Sequence, residues 1–176
     1  VEELRDTDNL FFEICNEPDP PHIAGYTNLA LLMIECMARA EAHRLKLGLF
    51  ALNAGTPEWN EIQAIVNTGV FGRAKQGGHI FCVHEGTFER PIDEGFNGTI
   101  PGSPVVAGAG TQCFRHRYFY HLLIPRNEVV PVVVTEWYGG YQNQGLTADQ
   151  VKGRVAWYDR EFARKPYSMA FCPFTL

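Results

Sequence analysis

Two glutamates stand where an apolar run stops: Glu17 after "FFEICN" and Glu136 after "VVPVVVT". Both runs read as strands, and in parallel α/β architectures the C-terminal strand ends form the active face, so polar residues there are candidates for chemistry rather than packing. Two carboxylates so placed suggest a catalytic pair. Asn16 sits beside Glu17, although "NEP" alone is a weak signal and reads first as an ordinary turn. His84-Glu85 closes a third run, "HIFCVHE", where His84 is either a site residue or a satisfied core histidine. No histidines fall at HExxH or other metal-ligand spacing, so no metal site is expected. Neither GxGxxG, GxxxxGK[ST] nor GxSxG occurs, so no cofactor is expected, and nucleotide-dependent or serine-hydrolase readings lack support.

The elements that must carry these residues follow from periodicity. Five short runs rich in β-branched or aromatic residues read as strands: Leu10 to Cys15, Leu47 to Asn53, His79 to His84, Val129 to Thr135 and Ser168 to Phe174. Their near-continuous apolarity suits a parallel sheet covered on both faces. Between the first two, Leu29, Leu32, Met33, Cys36 and Ala40 fall on one face of a helix. A second helix begins near Pro57, with Thr56 as its cap, and Gly69, Gly72 and Gly77-Gly78 interrupt and end it. Gln112 to Ile124 reads as a third, closed by Pro125. In the fourth, Thr147 and Gln150 have capping-box spacing, and Val151, Val155, Tyr158 and Phe162 form the inward stripe. Glu89 to Thr111 is a long Gly/Pro-rich connection, either functional or a tolerated insertion. It contains a weak glycosylation sequon, Asn97-Gly98-Thr99.

Composition bounds the rest. At 176 residues, 45% hydrophobic, the chain can fill one sizeable core, which suggests a single domain or part of one. A net charge of -5 without a basic run argues against nucleic acid and against a polybasic membrane anchor, and no apolar stretch is long enough to span a bilayer. Cys15, Cys36, Cys82, Cys113 and Cys172 are odd in number and lack CxxC spacing, so free thiols are expected. "VEELRDTDN" reads as a helix tail, and the last strand ends without a covering helix. The expected object is therefore an α/β chain over residues 1–176 that forms part of a larger parallel barrel, or an open sheet closed by a partner.

"FFEICNEPD" and "VVVTEWYGG" resemble the two signatures of the clan of retaining glycoside hydrolases built on a (β/α)8 (TIM) barrel, which includes many cellulases, mannanases and xylanases. The resemblance implies a partial barrel covering strands 4 to 8, a carbohydrate substrate, Glu17 as acid/base and Glu136 as nucleophile. It also implies that Asn16 binds the sugar 2-hydroxyl and that His84 is a substrate contact or orients the nucleophile. Glu85 would bind a sugar hydroxyl or simply begin the loop. Trp137, Tyr138 and Trp59 lie where rings could stack on a sugar, although aromatic residues are more often core. Glu13, sharing the strand parity of Glu17, should point into the barrel as a buried structural group. Phe174 stands where many members of the clan place a Trp. The alternative is a non-catalytic, carbohydrate-binding half-barrel that oligomerises. The compartment stays open: members are commonly secreted, whereas unpaired thiols suit a reducing interior.

Overall fold

In the computed structural model five parallel strands lie side by side in chain order: β1 (Phe11–Glu13), β2 (Lys46–Leu52), β3 (Ile80–Thr87), β4 (Val132–Gly139) and β5 (Ser168–Pro173). Residues 10–87, 92, 98–139 and 145–174 are described. The N-terminal nine residues, Asn97 of the sequon and much of the early part of the long connection lie outside them. Helices alternate with the strands, and the sheet curls into a half-barrel, a partial parallel β/α barrel.

The helices are α1 (Ile23–Ala42), α2 (Trp59–Asn67), α3 (Val70–Gly77), α4 (His116–Leu123) and α5 (Ala148–Phe162). α1 buries Tyr26, Leu29, Ala30, Met33, Met37 and Ala40, so its inward stripe is rotated from the expected one and Leu32 is exposed. The segment after Pro57 is two helices, not one. Gly69 adopts φ 79°, a left-handed conformation that ends α2 and starts α3. Glu58 rather than Thr56 caps α2, in a capping box with Glu61. At α5 the Thr147–Gln150 box forms as its spacing predicts.

The main core lies between the sheet and the helices. Phe81 of β3 sits at its centre, with ring centroids 5.2 Å from Phe71 of α3 and 4.9 Å from Phe119 of α4. Removing a ring of this kind typically costs about 3 to 5 kcal/mol. The concave side carries a thinner layer of Ala51, Ile80 and Cys82, with Phe11 and Val133 packed against it. A trough of about 350 Å³ opens beside that layer. Glu13 faces this trough as its parity requires, but it is exposed rather than buried, and it contacts the Cys82 thiol. None of the five cysteines is in a disulfide, and no helix among the described residues is long and apolar enough to cross a membrane.

Two irregularities shape the C-terminal rim of the sheet. On β2, Phe50 pairs with Cys82 and Leu52 with Val83, leaving Ala51 extra; Phe50 and Ala51 both have positive φ. On β4, Val134 pairs with Val83 and Glu136 with His84, leaving Thr135 extra. Each is a β-bulge, which bends a strand and re-aims the side chains beyond it.

Candidate active site

Glu17, His84 and Glu136 meet at the C-terminal rim. Glu17 comes from the loop after β1, where its backbone has φ 49°, an uncommon conformation for a residue with a side chain. Two contacts hold that loop. The Glu17 N–H donates to the Ala51 carbonyl at 2.9 Å, on the β2 bulge, and the Tyr26 hydroxyl of α1 donates to Asp19 at 2.5 Å. Burial, then Asp19, push the Tyr26 hydroxyl well above its ordinary pKa, so it stays a donor. Strained backbone held by its surroundings is common where a side chain must be presented for function.

His84 lies between the two glutamates. Its Nδ1 is 3.0 Å from Glu17 Oε1 and 3.7 Å from Glu136 Oε2. Two facing carboxylates favour the proton on Nδ1. That leaves Nε2 buried with no partner among the described residues. The Tyr138 hydroxyl donates to Glu136 Oε2. Burial, then that carboxylate, push the tyrosine pKa up, so it too remains a donor.

Glu136 reaches this position because of the Thr135 bulge. Val132 and Val134 face the helices while Val133 and Thr135 line the trough, so strict alternation would turn Glu136 toward the helices. The extra residue levels Glu136 with His84 instead. Gly86 completes the fit. At φ 149°, a Cβ there would stand 2.2 Å from the Tyr138 carbonyl, so only glycine lets β3 lie this close to β4.

The other expected site residues divide. Asn16 is exposed beside Glu17, and Tyr138 reaches Glu136. Trp137 is fully buried and packs on Tyr158 and Phe171, which corrects the expectation that it stacks on a sugar: the bulge turns it into the core. Glu85 is 1% exposed and faces the helices, so it neither binds a sugar hydroxyl here nor merely begins the loop. Trp59 is half-buried against Tyr118. Phe174 is partly exposed and meets Tyr138 edge-on. Sequence reasoning missed the Ala51 and Thr135 bulges and the Tyr138 hydrogen bond to Glu136. A non-glycine extra residue carries no compositional signal, whereas the two-residue spacing of Glu136 and Tyr138 was available.

Glu17, His84 and Glu136 offer one ligand atom each, all within 4.8 Å of one another. Such a mixed imidazole and carboxylate set is chemically able to hold a first-row divalent cation. It is equally suited to proton transfer and nucleophilic attack, with His84 orienting two carboxylates of different exposure.

No family model matches the sequence, and no curated protein sequence matches it. Among solved structures the fold matches the crystal structure of BuGH86wt in complex with neoagarooctaose, with a TM-score of 0.54 and 16% identity. The match covers 94% of this chain and 28% of that one. The likeness establishes a shared fold, and the present chain spans just over a quarter of the other's length.

Proposed function

We propose that the protein hydrolyses β-glycosidic bonds of an oligo- or polysaccharide with retention of configuration. The observation that carries this reading is the convergence of Glu17 and Glu136 on His84 from opposite sides of β3. One oxygen from each glutamate lies within 4.8 Å of the other, nearer the about 5 to 5.5 Å typical of retaining enzymes than the about 6.5 to 9.5 Å of inverting ones. The oligosaccharide bound by the structural neighbour supports a carbohydrate ligand. On this reading β1 to β5 correspond to strands 4 to 8 of a (β/α)8 barrel.

Glu17 would protonate the departing glycosidic oxygen while the Glu136 carboxylate attacks the anomeric carbon, forming a glycosyl ester. Glu17 would then take a proton from the water that hydrolyses the ester. Tyr138 and His84 hold Glu136 and Glu17 respectively. Asn16, exposed beside Glu17, would donate to the sugar 2-hydroxyl.

Glu136→Gln should abolish hydrolysis of aryl β-glycosides. Glu17→Ala should keep partial activity on substrates with an activated leaving group, and added azide should trap a β-glycosyl azide. Wild-type turnover in Glu136→Gln would sink the proposal.

A second reading, a non-catalytic carbohydrate-binding half-barrel that pairs with another copy or segment, is favoured by the trough on the concave face and by exposed Met169 beside it. Sugar binding by an oligomer without turnover would select it, whereas turnover by a monomer would reject it.

A further inference from the structure

Glu85 follows His84 by one residue and points to the other side of β3. Strand alternation alone explains the direction but not the residue type. A carboxylate buried this deeply is unfavourable unless its oxygens are met by donors. Four donors meet it: the backbone N–H groups of Phe114 at 2.8 Å and His116 at 3.0 Å, the His116 ring Nδ1 at 2.7 Å and the Tyr158 hydroxyl at 2.7 Å. Burial works against its charge, but His116 and Tyr158 together hold its carboxyl below the usual range.

These donors explain how α4 starts. Its N-cap, Arg115, makes no side-chain cap hydrogen bond, and Glu85 supplies an acceptor for the free N–H groups there. One residue on, the Gly86 N–H donates to the Gln112 carbonyl at 3.2 Å. Three successive residues of β3 are thus fastened in different directions: His84 to the two site carboxylates, Glu85 to α4 and α5, Gly86 to the turn before α4.

We infer that Glu85 is a positioning residue, which fixes the height and rotation of the β3 end and thereby places His84 Nδ1 between Glu17 and Glu136. Its effect on turnover rests on the glycosidase reading; its effect on His84 does not.

Glu85→Gln keeps the shape but turns one acceptor oxygen into a donor facing donors. In the protein carrying it, kcat on an aryl β-glycoside should fall about 10- to 100-fold while KM stays within about threefold, because misplacement penalises the transition state more than binding. The His84 ring resonances and their titration, followed by NMR, should move as well. Tyr158→Phe removes one donor and should move both readouts the same way by less. Glu35→Gln, on the exposed face of α1, should move neither. If Glu85→Gln does not fold, Tyr158→Phe decides. A folded variant of either kind with wild-type His84 resonances and wild-type kcat overturns the proposal, whatever its melting temperature. Should the unmodified protein show no turnover, the glycosidase reading falls, and the His84 resonances still test the positioning.

Discussion

Strand β3 has a histidine at each end, and the two are held in opposite ways. His79, just before the strand, has both ring nitrogens engaged: Nδ1 accepts the Leu47 N–H at 2.9 Å, and Nε2 lies 2.9 Å from Glu41, which also pairs with Arg73. His84, near the other end, offers Nδ1 to two carboxylates, while its buried Nε2 has no partner among the described residues. The first arrangement leaves no polar atom of the ring wanting and locks α1 and α3 to the sheet. The second leaves the buried Nε2 without a partner among the described residues, while Nδ1 faces two carboxylates that reach solvent. Buried polar groups are ordinarily satisfied. Residue type is the same in both; the partners differ, an ion-paired glutamate of α1 for His79 and two rim carboxylates for His84.

That contrast breaks if the two ends respond alike. The largest effect is expected from Glu136→Gln, a loss of about 10³-fold or more in kcat with the fold intact by circular dichroism. Next, His84→Ala should lower kcat of the folded protein about 100-fold by freeing both carboxylates. His79→Ala should do the reverse, costing about 1 to 3 kcal/mol for the unpaired buried groups in a urea titration while kcat of the folded protein is unchanged. Equal loss of kcat in both histidine variants would erase the distinction. Tyr138→Phe should cost about fivefold in kcat, the size of one hydrogen bond of about 1 kcal/mol.

The smallest effect is in the pH dependence of stability. A hydrogen bond from Arg73, against the opposing effect of burial and with help from His79, holds the Glu41 carboxyl below its ordinary 4.5. A depressed folded-state pKa adds stability that is present above the unfolded value and lost as pH falls through the folded one. Melting temperature should therefore drop below about pH 4.5, and Arg73→Gln should shallow that drop. The partly exposed pair keeps the effect small, and an unchanged acid limb would remove Glu41 from the account.

Much of this was legible in the sequence. The runs FFEIC and VVPVVVT announce strands because β-branched and aromatic side chains pack on pleated surfaces. Glu17 and Glu136 could be singled out because charge at the end of such a run needs a reason. The roles of Glu85 and Trp137 were not legible, since both sit near a strand end and only tertiary packing turns them under α4 and α5. The helix start at His116 was hidden for a related reason: its acceptor comes from a residue 31 positions away. Local capping at Thr147 and Gln150 needed no such partner and was visible.

The Thr135 bulge carries a consequence for anyone editing this chain. Across the rim β4 spends one residue more than β3, so the site depends on counting as much as on side-chain identity. Deleting Thr135 would remove no proposed catalytic group and would leave Glu136 directly after Val134, where simple alternation still points it to the concave side and Trp137 to the core; what is lost is the bend of β4. In this part of the molecule it is flattening the bulge with Thr135 kept, not deleting the residue, that would rotate Glu136 toward the helices.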